Sequence, residues 1–169
     1  VPIPTTVEAD YKISPQQLED AITDRTRVVM LCSPNNPTGS VYRKDELRQL
    51  AEVIAQYPQL YVISDEIYDH INFTHQMDSI AQFSGLKDQT LLVSGVSKSF
   101  AMTGWRIGFM AGPKAIADAC TKIQGQFTSG ANAMAQVAAQ KAISSDLTPT
   151  YQMRDAFQRR RDLVMNKLK

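Results

Sequence analysis

The sequence predicts an α/β protein built on a mostly parallel sheet flanked by helices, and two observations carry that expectation. Short runs rich in β-branched and apolar residues alternate with longer runs of helical spacing. The connections between those short runs are long enough for crossovers, which parallel pairing requires. Ser14-Pro15-Gln16-Gln17 combines an N-cap serine, a proline at the first helical position and a glutamine where a capping box needs it, so a helix is expected from Pro15 to about Ile22. Arg27 to Leu31 is short and apolar on both faces, which suits a strand inside a sheet, stopped by Ser33-Pro34. The stretch from Ser33 to Gly39 is rich in proline, asparagine and glycine and reads as a loop.

Asp45 to Tyr57 carries Leu47, Leu50, Ala51, Ile54 and Ala55 at three-and-four spacing, an amphipathic helix that Pro58 ends. Leu60 to Ser64, Thr90 to Ser94 and Ile107 to Ala111 are three further strands. Gly112-Pro113 then opens a long helical stretch, with breaks expected at Gly125 and Gly130. Ala131 to Ile143 and Pro149 to Lys169 read as two more helices. No repeat, low-complexity tract or linker divides the chain, so one domain is expected. It opens without a methionine and ends inside a helix, so both termini are expected to be cuts through a longer protein.

Composition narrows the function classes. Eighteen Lys and Arg against 17 Asp and Glu give a net charge of +1 with no basic run, which leaves nucleic-acid binding without electrostatic support. No apolar run reaches the roughly 18 to 20 residues that span a bilayer, and the opening residues lack the layout of a signal peptide, so the expected setting is soluble and cytoplasmic, with no membrane partner. Cys32 and Cys120 form no C-x-x-C pair and are expected to be buried, reduced thiols. His70 and His75 are five apart and share no helical face, which argues against a metal site. No G-x-G-x-x-G follows a strand and no G-x-S-x-G is present, so dinucleotide and hydrolase signatures are missing.

Polar residues collect where strands end: Asn36 after the first, Asp65 and Tyr68 after the second, Ser97 and Lys98 after the third, Arg106 at the start of the fourth. Each alone has an ordinary explanation as a turn, a cap, a solvated lysine or a surface ion pair. An acid, a phenol, a lysine and an arginine in one crevice are poor core material, because an unpaired buried charge costs about several kcal/mol. A bound ligand accounts for their company.

Pro34-Asn35-Asn36-Pro37-Thr38-Gly39, then Ser64-Asp65-Glu66-Ile67-Tyr68, then Ser97-Lys98 followed by Thr103-Gly104-Trp105-Arg106-Ile107-Gly108, occur in that order. Together they resemble the class I and II aminotransferases, pyridoxal-phosphate enzymes of fold type I, of the aspartate aminotransferase kind. The resemblance covers most of the chain and implies that residues 1–169 are the major part of the large, cofactor-binding domain, with an N-terminal segment and a C-terminal small domain lying outside it.

The resemblance also implies roles. Lys98 matches the lysine that holds pyridoxal 5′-phosphate as a Schiff base and later shuttles the proton between Cα and C4′. Asp65 matches the acid that keeps the pyridine nitrogen protonated, and Asn36 with Tyr68 the pair that hydrogen-bond the phenolic oxygen. Ser97 and Arg106 match phosphate ligands. Lys98, Asp65 and Tyr68 are thus the implied catalytic residues. One departure is Gly95, where many relatives carry a second phosphate-binding serine. The implied activity moves an amino group between an α-amino acid and a 2-oxo acid, in a homodimer, with Gln126 to Ala131 approaching the partner's site. A lyase or synthase on the same scaffold, or an inactive cofactor-binding fragment, is the alternative. Which amino acid is the substrate does not follow from these residues.

Overall fold

The computed structural model describes residues 1–168. Four strands, β1 (Val28–Cys32), β2 (Tyr61–Asp65), β3 (Thr90–Gly95) and β4 (Gly108–Ala111), form one sheet in the order β1-β2-β3-β4. β1, β2 and β3 run parallel and β4 runs antiparallel to β3, so the sheet is mostly parallel as the alternation of runs implies. The helices are α1 (Pro15–Ala21), α2 (Lys44–Ile54), α3 (Lys114–Phe127), α4 (Ala133–Ser144) and α5 (Thr148–Leu168). The last residue of the helix expected over 149–169, Lys169, lies outside the described residues.

α1 starts where its signals place it. The Ser14 hydroxyl accepts from the Gln17 N–H at 3.2 Å and the Gln17 side chain accepts from the Ser14 N–H at 2.9 Å, so both halves of the capping box form. α2 begins at Lys44, with Asp45 and Glu46 in the first turn, where acidic side chains offset the helix dipole. It buries Leu47, Leu50, Ala51, Val53 and Ile54, but Ala55 is exposed because the helix ends at Ile54 and Ala55 only caps it.

The main core lies between one face of the sheet and helices α1 and α2. Val29, Leu31 and Val62 meet Leu18, Leu47, Leu50 and Ile54 there, closed by Leu60, Ile80 and Leu86. Period-two alternation directs Val28, Met30, Cys32, Tyr61, Ile63, Asp65 and Val93 to the opposite face. On that face Met30 is 72% exposed, which corrects the expectation that β1 is interior. It is the edge strand of this sheet, covered only on its α2 side.

Three further expectations change. The β2–β3 connection is made of short 3-10 turns, Asp69–Ile71, Ile80–Gln82 and Ser84–Leu86, and contains no α-helix. α3 runs through Gly125 to Phe127, so only Gly130, at φ +145°, belongs to the break before α4. Cys32 is half-buried and Cys120 exposed, both free thiols, so the expectation of two buried cysteines fails.

A second, smaller core joins Val96 and Ile107 to Ala135 and Ala139 of α4, with Phe100 and Met102 packed against it. Val96 and Ile107 flank the loop that carries Ser97, Lys98 and Arg106, so α4 anchors both ends of that loop.

Candidate active site

Parallel register sets the first half of the site. Cys32 pairs with Asp65, and Asp65 with Val93, so the loops leaving β1, β2 and β3 depart from the same end of the sheet. Asn36, four residues after the end of β1, donates from Nδ2 to the Tyr68 hydroxyl at 2.9 Å. Tyr68 accepts in that bond, which leaves its own O–H proton for another acceptor.

Lys98 sits in the turn after β3, half-buried, with Nζ 5.8 Å from the centroid of the Tyr68 ring. Among the described residues no carboxylate lies within ion-pair distance of that amine. Lys98, Ser97 and Tyr68 share the lining of a cavity of about 710 Å³, whose far wall is α5 with Phe157 and Arg160. A larger recess of about 940 Å³ along the open β1 edge holds none of the six residues singled out from the sequence.

Asp65 ends β2, half-buried, and its Oδ1 accepts from the Ile67 N–H at 3.2 Å, an Asx turn that fixes the carboxylate at the strand end. Its charge reaches Cys32, the paired residue on β1. Burial first, and the Asp65 charge second, push the Cys32 thiol above its ordinary value, which disfavours the thiolate.

Ser97 and Arg106 are linked through Thr103. The Thr103 hydroxyl donates to the Ser97 carbonyl at 2.9 Å and Arg106 Nη1 donates to the Thr103 carbonyl at 3.0 Å. Arg106 precedes β4, near the start of the strand as expected, in the left-handed region at φ 55°. Its guanidinium is exposed and, among the described residues, meets no carboxylate at ion-pair distance, so N–H donors remain for an anion.

Two groups carry no signal in the sequence. Glu66, 6% exposed, points to the α2 side of the sheet, where its Oε1 accepts from the hydroxyls of Ser64 at 2.8 Å and Ser79. Burial pushes its carboxyl above the ordinary range, against the pull of those two hydroxyls and with help from the nearby charges of Asp69 and Asp65. Ser99 is 1% exposed and donates to Asp69 Oδ1 at 2.8 Å. Each lies beside a residue of stronger apparent chemistry, and only the folded chain shows what it touches. Among the described residues no group of three or more His, Cys, Asp or Glu side chains could hold a metal, and no helix is long and apolar enough to cross a membrane.

A mostly parallel sheet with an uncompensated lysine beside a tyrosine–asparagine pair at the strand ends defines a class. The chain belongs to the family described as aminotransferase class I and II, whose model matches residues 1–169. Enzymes of that family are generally pyridoxal-phosphate-dependent. A bifunctional aspartate aminotransferase and glutamate/aspartate-prephenate aminotransferase of Petunia hybrida is 47% identical, over 96% of this chain and 35% of the relative. An aspartate/prephenate aminotransferase of Nitrosomonas europaea is 44% identical, over 98% of this chain and 42% of its own length. Among solved structures, the aspartate aminotransferase of Rhizobium meliloti superposes with a TM-score of 0.93 at 39% identity, over 96% of this chain and 41% of that one. An aromatic aminotransferase of Pyrococcus horikoshii gives 0.94 at 37%, over 99% and 46%. The fold is therefore fold type I, and the chain spans less than half the length of these relatives.

Proposed function

We propose that the protein transfers an amino group between an α-amino acid and a 2-oxo acid, with pyridoxal 5′-phosphate as cofactor and aspartate as the donor. The observation that carries this reading is the Lys98 amine, half-buried beside the Tyr68 ring and without a counter-charge at ion-pair distance among the described residues. An amine in that setting is available to a carbonyl carbon.

The remaining donor set fits the cofactor. Asn36 and Tyr68 offer an amide N–H and a hydroxyl to a phenolic oxygen, Asp65 a carboxylate to a ring N–H, and Ser97 with Arg106 a hydroxyl and a guanidinium to a phosphate. When bound, pyridoxal phosphate supplies an aldehyde that condenses with amines and a ring that accepts the electron pair left at a substrate Cα. Lys98 would hold the cofactor through its amine and would move the proton at the substrate Cα. Asp65 holds a proton on the ring nitrogen through its negative charge. The hydroxyl of Tyr68 and the amide of Asn36 steady negative charge on the phenolic oxygen.

Aspartate is supported as the donor by relatives at 44 and 47% identity whose names include it. Residues 1–169 are read as part of the cofactor-binding domain of a longer enzyme, and the working form as a cytoplasmic homodimer, on the family resemblance alone. The test uses full-length protein with pyridoxal phosphate, aspartate and a 2-oxo acid. Turnover, a near-visible absorbance that borohydride abolishes, and cofactor fixed to the Lys98 peptide are expected, all lost in Lys98→Ala. Unchanged turnover and fixation in Lys98→Ala overturn the assignment. Product release that continues from the amino acid alone indicates a lyase instead, because a transaminase stalls without an oxo acid.

A further inference from the structure

We propose that Ser99 and Asp69 are positioning residues: their hydrogen bond clasps the loop of Lys98 to the loop of Tyr68 and so sets where the amine stands relative to the phenol. This rests on the roles proposed above for Lys98 and Tyr68 and adds two residues that those roles do not use.

The two functional side chains come from separate loops. Lys98 rides a turn after β3, closed by the Ala101 N–H donating to the Lys98 carbonyl at 3.1 Å. Tyr68 leads into the 3-10 turn Asp69–Ile71, closed by the Ile71 N–H donating to the Tyr68 carbonyl at 2.9 Å. Each turn is closed on itself, so neither closure fixes the distance to the other. The side chain of Lys98 has four rotatable carbons and does not hold its amine in place unaided.

What joins the turns lies one residue beyond each functional side chain. Ser99 Oγ donates to Asp69 Oδ1 at 2.8 Å, and the residue is 1% exposed. The same Oδ1 accepts from the His70 N–H at 2.6 Å, and His70 Nε2 stands 3.7 Å from Oδ2, so the carboxylate is held from its own side as well. One residue further, the rings of His70 and Phe100 meet edge to face with centroids 6.0 Å apart. Three consecutive residues of one turn, 68 to 70, thus face three consecutive residues of the other, 98 to 100. The first pair is the reactive one. The second is a hydrogen bond to a carboxylate oxygen that the His70 N–H also reaches.

A residue that acts only by positioning predicts a particular pattern. Ser99→Ala, Asp69→Ala and the double variant of the full-length protein are each expected to lower kcat and kcat/KM together, about tenfold, with KM steady. The pH midpoint of the near-visible absorbance of the cofactor-bound protein is expected to move by about half a pH unit or more, because the amine meets a different neighbourhood. The double variant should be no worse than either single one, since both break one contact. Ser99→Thr, which keeps the hydroxyl, should restore the wild-type midpoint. The proposal is overturned if Ser99→Ala and Asp69→Ala keep the wild-type midpoint and kcat, or lose only thermal stability. Should Ser99→Ala not fold, Asp69→Ala and Ser99→Thr decide by the same two readings. A wild-type protein without the borohydride-sensitive absorbance overturns the Lys98 assignment itself, a result distinct from the failure of the clasp.

Discussion

Asn36 donates a hydrogen bond of 2.9 Å to the hydroxyl of Tyr68 across 32 residues of sequence. The contact follows from sheet register: Cys32 and Asp65 are paired at the ends of adjacent parallel strands, and the loops that leave them stay side by side. Asn36 is exposed, so the bond contributes little to folding.

Tyr68→Phe removes the only acceptor that Asn36 Nδ2 has among the described residues, and with it the hydroxyl proposed for the cofactor. A loss of about three- to tenfold in kcat/KM is expected, matching the net worth of one or two hydrogen bonds. Asn36→Ala should lose a similar amount. A double-mutant cycle on kcat/KM should return a coupling of about 0.5 to 1.5 kcal/mol, and strictly additive losses would show that the two side chains act apart. Unfolding midpoints of all three variants should stay within about 0.5 kcal/mol of the parent.

Glu66 makes stability depend on pH in a direction opposite to most carboxylates. Its carboxyl is raised in the folded chain above the ordinary glutamate value of 4.5, chiefly by burial. The proton therefore favours folding: the contribution is fully present below the unfolded value and is lost as pH rises through the folded one. Glu66→Gln keeps an acceptor for Ser64 and Ser79 without the charge. Urea unfolding across acid to neutral pH should show the variant gaining on the parent as pH rises. A parent that gains on the variant over the same range would contradict a raised carboxyl.

The capping box of α1 gives a local stability test. Ser14→Ala leaves the Gln17 N–H without its acceptor, and a loss of about 1 kcal/mol is expected by urea unfolding. Leu18, 1% exposed, ties α1 to the main core, so the loss should appear in the global transition. Ser14→Asp should recover most of it. An Ala variant as stable as the parent would mean that packing of Leu18 alone holds the helix.

Different parts of the molecule were legible for different reasons. The α2 stripe from Leu47 to Ile54 and the Ser14 cap are local patterns, readable because helix periodicity and capping need only neighbours in sequence. Asn36, Tyr68 and Lys98 could be grouped from three ordered motifs at strand ends, and the fold does bring them together. The direction of β4 could not be read, because residues 96 to 107 resemble any loop. They form turns and a 3-10 helix with no α-helix to carry a crossover, and the chain returns antiparallel. Gly125 misled because a glycine costs only about 1 kcal/mol within a helix, which its neighbours outweigh. The Ser99–Asp69 bond spans 30 residues and joins two ordinary side chains, so no spacing rule reveals it.

Gly95 is the strictest steric test of the site's scaffold, because it lies on β3 two residues before Ser97, opposite Gly108 on β4. A Cβ there would stand 2.8 Å from the Ile107 carbonyl oxygen and 3.0 Å from Gly108 Cα, both backbone atoms, and 3.3 Å from Ile67 Cδ1. Backbone cannot rotate away as a side-chain tip can, so β4 must shift. Ile107 would then leave its place beside Val96 in the small core that anchors the Lys98 loop. The same clash applies to any side chain at this position, serine included. Gly95→Ala is therefore expected to cost about 1 to 3 kcal/mol by urea unfolding and to weaken retention of pyridoxal phosphate. Gly85→Ala is the control: nothing lies within 4 Å of a Cβ at that position, and a change within about 0.5 kcal/mol is expected. Equal stabilities for the two variants would mean that β3 and β4 separate at no cost, and that Gly108 faces Gly95 for some reason other than close approach.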